Sequence, residues 1–133
     1  MSAERQAKST RYAILCYDSE EVVGSWSKPE DDALMGRLAA VKQDLAAKGR
    51  LGPTVRLMPT TAATTLRKGR ESLVIDGPFA ETKEQLLGFY IIDCPSLEEA
   101  IEAARKLAQA STHGTGAYEI RPLRSFDAGD LAK

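Results

Sequence analysis

Val74-Ile75-Asp76-Gly77-Pro78-Phe79-Ala80-Glu81-Thr82-Lys83-Glu84 is the stretch on which the reading of this 133-residue chain turns. The apolar run Leu73-Val74-Ile75 predicts a strand that ends on an Asp-Gly-Pro turn. Gly77 is free to take positive φ there, and Pro78 fixes φ near the turn value. Glu81, Lys83 and Glu84 are too densely charged for a core. Gly88-Phe89-Tyr90-Ile91-Ile92 then resumes a strand with apolar groups on both faces. Asp76 is thereby held at a strand end beside Phe79. Turns of this composition occur in many folds for structural reasons, so the local chemistry assigns no reaction.

Working outward, Arg11 to Tyr17 is a strand whose two alternating sets are both apolar, so neither face suits water. An acidic connection, Asp18 to Ser27, carries Trp26, the only tryptophan. It either tucks against its own domain or stacks on a ligand. Ser27-Lys28-Pro29-Glu30 has the form of a capping box. Leu34, Leu38, Val41 and Leu45 then mark one face of a helix that Gly49 closes. Pro53 to Met58 predicts a second strand, with Val55 and Leu57 on one side and Arg56 on the other. Ala63 to Arg67 and Glu71 to Ile75 flank Lys68-Gly69-Arg70 as a hairpin, which is expected to deliver Asp76 to the edge of the main sheet. Ser96 to Glu99 supplies a second capping box. Leu97, Ala100, Ile101, Ala104, Leu107 and Ala108 form the stripe of a second helix. Ala117 to Leu123 alternates, with Tyr118 and Ile120 on one face and Glu119 and Arg121 on the other. The order β-α-β, hairpin, β-α-β predicts an antiparallel sheet covered by helices on one face.

The segment Asp76 to Glu84, followed by Gly88 to Ile92 and later by Glu119-Ile120-Arg121-Pro122-Leu123, resembles the DGPF-motif branch of the YCII-related proteins. The resemblance spans about Arg11 to Leu123. It implies an α+β, ferredoxin-like βαββαβ fold with an inserted β-hairpin, two copies of which form a dimeric α/β barrel. The expected division is a flexible segment over residues 1–10, the domain over 11–124 and a polar tail over 125–133. Relatives proposed to be enzymes pair a histidine near the first helix with an aspartate. Here Leu38 stands about where that histidine would be, so a His-Asp dyad has no support in this chain.

The two-faced strands point to a homodimer on their own account. Two helices cover one side of the sheet, and large apolar groups left bare on the other cost about 1.5 to 3 kcal/mol apiece. A cleft enclosed by such pairing is the default place for a small molecule. In it Asp76 is the candidate catalytic residue, a general base if partial burial raised its pKa; the alternative is an aspartate that accepts backbone amides and holds the turn. Tyr17, Phe79, Lys83, Tyr90 and Arg121 are the candidate ligand-binding residues. Lys83 and Glu84 alternatively form a solvated pair, and Arg121 alternatively pairs with Glu119 across the dimer interface. His113, the only histidine, is expected at the surface near a helix end.

A formal net charge of -1 gives no electrostatic reason to expect nucleic acid or an anionic membrane surface. Residues 1–10 are polar and predict neither a signal peptide nor a membrane anchor, so a cytoplasmic protein is expected. Cys16 and Cys94 are expected as buried thiols at opposite ends of neighbouring strands, with no metal-ligand spacing. No nucleotide, serine-hydrolase or zinc motif occurs, so no cofactor is expected. Three readings stay open. One is a small-molecule-binding homodimer with a cleft near Asp76, acting as a cofactor-independent lyase or isomerase if it is an enzyme at all. The second, implied by the resemblance, is a non-catalytic module associated with extracytoplasmic-function sigma factors. The third is a dimeric scaffold with a filled cavity.

Overall fold

In the computed structural model, which describes residues 9–111 and 114–131, four strands form one antiparallel sheet in the order β2-β5-β1-β6. These are β1 (Thr10–Asp18), β2 (Leu51–Arg56), β5 (Gln85–Cys94) and β6 (Ala117–Pro122). A separate two-stranded sheet pairs β3 (Thr64–Arg67) with β4 (Leu73–Asp76). The helices are α1 (Glu20–Gly24), α2 (Lys28–Ala47) and α3 (Leu97–Ser111), and a 3-10 turn covers Thr60–Ala62. With the hairpin set aside, the strand order is that of a ferredoxin-like α+β fold, as the resemblance implied, and the sheet is antiparallel, as the order of elements implied. No helix among the described residues is long and apolar enough to cross a membrane.

Register sorts the sheet residues onto two faces. Tyr12 opposite Ile92, Ile14 opposite Tyr90 and Ile120, and Cys16 opposite Gly88 and Tyr118 face the helices. There Ile14, Ile92 and Leu107 are essentially inaccessible, at 0%, 1% and 0% exposure, and Leu34, Leu38 and Leu45 close over them. Each such burial contributes about 1.5 to 3 kcal/mol, an upper figure because unfolded chains already hide part of this surface. Ala13 with Ile91, and Leu15 with Phe89, share the face that the helices leave. Ala13 and Ile91 are already buried within one chain, and Leu15 and Phe89 are half-buried. The most exposed apolar side chains therefore lie elsewhere than the two-faced strands suggested: Leu131 in the tail, Met58, Phe79, and Leu66, Leu73 and Val74 of the hairpin.

The ends of α2 form as the sequence dictates. Ser27 Oγ accepts from the Glu30 amide at 3.2 Å while the Glu30 carboxylate accepts from the Ser27 amide at 2.7 Å. At the other end Gly49, at φ 71°, lets its own amide reach the Ala46 carbonyl and the Arg50 amide reach Leu45, each at 2.9 Å. In α3 only half of the capping box forms. Ser96 Oγ accepts from the Glu99 amide, but Glu99 turns to Arg50, 2.6 Å away, because an ion pair competes with the reach back to Ser96. The buried stripe of α3 is Ala100, Ala103, Ala104 and Leu107. Leu97 and Ile101 lie more exposed than the periodicity implied, since small alanines allow the helix to approach most closely along their own line.

The connection after β1 is not a plain loop. Ser19 caps α1, accepting from the Val22 amide at 3.3 Å, and the Glu20 amide donates to Gln85 Oε1 at 2.8 Å. The Glu20 carboxylate also takes the amide and hydroxyl of Thr60, at 2.8 and 2.6 Å. Beyond β6, the Leu123 amide donates to the Arg11 carbonyl and the Arg11 guanidinium stacks on Phe126 at 5.1 Å, so the start of the tail lies against β1.

Candidate functional site

A cavity of about 190 Å³ opens between the helix-facing side of the sheet and α2. Its floor comes from cross-strand neighbours: Cys16 on β1, Tyr90 on β5, Tyr118 on β6, and Thr54 and Arg56 on β2. Leu34, Met35, Leu38 and Lys42 of α2 form the roof, and Val23 of α1 with Trp26 forms an end wall. Trp26 thus both packs against the core and borders the cavity.

Two local irregularities shape this space. Opposite the step from Cys16 to Tyr17, strand β5 carries the extra residue Leu87 between Gly88 and Leu86. Such a bulge bends the strand and re-aims the side chains that follow. Gly88 itself lies so close under β2 that an added Cβ would run into the Val55 carbonyl oxygen, so only glycine allows the edge strand to approach. The missing side chain also leaves the floor of the cavity open.

Asp18, at the end of β1, is the carboxylate of the cavity lining. Its Oδ1 accepts from the Ser19 amide at 2.7 Å and its Oδ2 from the Thr115 hydroxyl at 3.1 Å. Gly116, at φ 84°, makes room for it: a Cβ there would stand 2.9 Å from the carboxyl group and 2.5 Å from the Tyr17 carbonyl oxygen. At the rim Arg56 donates to both oxygens of Asp31, at 2.7 and 3.1 Å. That fork holds Asp31 below the usual carboxylate range and raises Arg56.

The other polar groups of the floor are neutral at physiological pH. Burial pushes the Cys16 thiol up to about 12 and the Tyr90 phenol up to about 12. Tyr118 is raised as well, by burial first and then by Cys16, Tyr90 and Asp18. Neither Tyr90 nor Tyr118 hydrogen-bonds through its hydroxyl to any described residue. The cavity therefore offers the phenols of Tyr90 and Tyr118 and the Asp18 carboxylate, with Tyr17, Lys42 and Arg56 also in its lining, inside a largely apolar shell. Cys16 and Cys94 are free thiols at opposite ends of the paired strands β1 and β5. Among the described residues no group of three or more His, Cys, Asp or Glu side chains is placed to hold a metal ion.

Of the residues singled out in the sequence, Tyr17 and Tyr90 line this cavity and Asp76, Phe79, Lys83 and Arg121 do not. Arg121 lies across from Ala13, on the opposite face of the sheet. Asp76 ends β4, in the separate hairpin rather than at the main sheet, and is exposed. Its carboxylate takes no hydrogen bond among the described residues. The turn is held instead by the Gly77 amide on the Ala63 carbonyl and the Thr65 hydroxyl on the Gly77 carbonyl, both at 2.8 Å. Phe79 is 75% exposed and stacks under the Arg67 guanidinium at 5.2 Å. His113 lies outside the described residues.

Fold and site together define a small α+β protein with a ferredoxin-like sheet and a partly aromatic cavity under its first long helix. Residues 10–127 match the family model of the YCII-related domain, and the chain belongs to that family. It is also 55% identical over 121 residues to an uncharacterized protein of Rhizobium meliloti (strain 1021), covering 90% of this chain and 97% of that protein.

Proposed function

We propose that the protein is a homodimer that binds a small molecule in the cavity between α2 and the sheet. The observation that carries this reading is the pair of half-buried phenols, Tyr90 and Tyr118, presented beside Asp18 without a described hydrogen-bond partner. A pocket of about 190 Å³ suits a ligand of about one ring, below the drug-sized range of roughly 300 Å³ and above. The walls favour an apolar body, and the phenols favour an oxygen that accepts hydrogen bonds. Pairing of two copies across the outer sheet face is supported by half-buried Leu15 and Phe89 and exposed Val55, which share that face.

If the bound molecule is turned over as a lyase or isomerase substrate, the proton must pass to a group that touches it. Asp18 lines the cavity, whereas Asp76 would serve only if association brought the hairpin to it. The test is a thermal-shift screen of one-ring metabolites, followed by titration of any hit against Tyr90→Phe/Tyr118→Phe. A native-state ligand raises the melting temperature, and the double variant is expected to bind about tenfold more weakly, the loss of roughly one net hydrogen bond. Undiminished binding to the double variant would move the site elsewhere. Asp18→Asn and Asp76→Asn then assign the proton-transfer role between the two carboxylates.

A further inference from the structure

We propose that the β3–β4 hairpin is a self-docking arm, through which one copy of the chain associates with the same arm of a second copy. A two-stranded hairpin standing alone in water is at best marginally stable and needs a further surface. Here the chain that follows β4 crosses one face of the hairpin, although Leu73 on that face stays 56% exposed, and the other face meets nothing. On the first face, Thr65 is hydrogen-bonded to the Gly77 carbonyl and Arg67 is stacked over Phe79, so the chain leaving β4 folds back across it. The second face, set by the pairs Leu66 with Val74 and Thr64 with Asp76, is bare: Leu66 is 57% exposed and Val74 66%.

The charges of the arm identify the occupant. Lys68 and Arg70 stand at the turn, with Glu71 beside them, and Asp76 stands at the opposite end of the same hairpin. A surface that is basic at one end, apolar in the middle and acidic at the other is complementary to itself after a two-fold rotation. Two arms packed in this way place Leu66 and Val74 against their own copies and bring each basic turn to the other arm's Asp76. Such a contact is closed, so it ends at two arms and does not propagate. It adds to the sheet-face pairing proposed above and does not depend on it.

The test is a charge-reversal cycle read by sedimentation velocity over a micromolar concentration series. Lys68→Glu/Arg70→Glu and Asp76→Lys, all at exposed positions, are each expected to weaken self-association about tenfold, and their combination to restore it. Leu66→Asp/Val74→Asp should abolish the arm-dependent step while circular dichroism reports an intact domain. Unchanged association in the single sets, or no recovery in the combination, overturns the arm contact. If Arg121→Glu alone dissociates the protein and the arm variants do not, the arm contact falls and the sheet-face pairing stands. A monomer at every concentration overturns both, and ligand binding is then judged separately by its thermal shift.

Discussion

Arg56 donates from both terminal nitrogens to Asp31, at 2.7 and 3.1 Å, and so latches the edge strand β2 to the first turn of α2 beside the cavity. Both side chains are partly open to solvent, at 50% and 31%, so the fork contributes little to stability, about 0.2 to 1 kcal/mol. Arg56→Ala is therefore expected to lower the melting temperature by only a few degrees and to raise the ligand dissociation rate more noticeably. Differential scanning fluorimetry and stopped-flow displacement, run on the same preparation, check the two halves of this expectation.

The pH dependence follows from the neutral groups of the floor. Cys16 and Tyr90, with ordinary values of 9.0 and 10.0, are each held up to about 12 by burial. Above pH 9 the native state keeps protons that the unfolded chain releases. Their contribution is thus fully present below about pH 9 and is lost as pH climbs towards 12. On the acid side the fork lowers Asp31, so its small contribution is present above 3.8 and disappears as pH falls through the lower native value. Urea melts across pH 3 to 11 should show both flanks, the alkaline one shallower in Tyr90→Phe.

Thiol chemistry gives an independent check, since a thiolate and not a thiol is the nucleophile. Native protein at pH 8 is expected to resist iodoacetamide at Cys16, and also at Cys94, whose thiol burial likewise raises. In denaturant both should be modified within minutes. Peptide mapping of the alkylated sites checks this, and a Cys16 modified in the native protein would contradict its burial at the cavity floor.

Gly88 has no tolerance for a methyl group, because the backbone of β2 occupies the space a Cβ would take. Gly88→Ala should cost about 2 to 3 kcal/mol, a drop of roughly 10 °C in melting temperature, and should displace the Arg56 end of β2. Ligand binding is expected to fall with it. A variant of wild-type stability would contradict the close approach of the two strands.

Asp76→Asn is expected to leave stability within about 0.5 kcal/mol of wild type, since the carboxylate accepts no hydrogen bond from a described residue. A chemical denaturation curve decides this, and a large loss would assign Asp76 to the turn after all.

Much of the fold could be read before any coordinate. The runs Arg11 to Tyr17 and Gly88 to Ile92, the capping box at Ser27 and Glu30, and Gly49 are local signals, and each formed where its residues imply. The five-residue α1 is too short to show periodicity, although Ser19 followed by two acids is a helix-start pattern. The cavity was harder still. Its carboxylate, Asp18, reads as the first residue of a loop, and the alternation that sets Val55 and Leu57 on one side and Arg56 on the other does not say which side is turned inward. In the fold Val55 and Leu57 are the exposed pair and Arg56 faces α2, because a bulge between Leu51 and Thr54 resets the alternation. Asp76 drew attention by its turn chemistry, which is a property of the chain's local path and says nothing of which cavity lies nearby.

Glu20 ties Thr60, at the foot of the hairpin, to the same short helix whose Val23 walls the cavity. One carboxylate is therefore a shared hinge pin for two parts of the molecule that are far apart in sequence. Remove it, and the hairpin's footing and the chamber's end wall come loose together, so damage at either place would be felt at both.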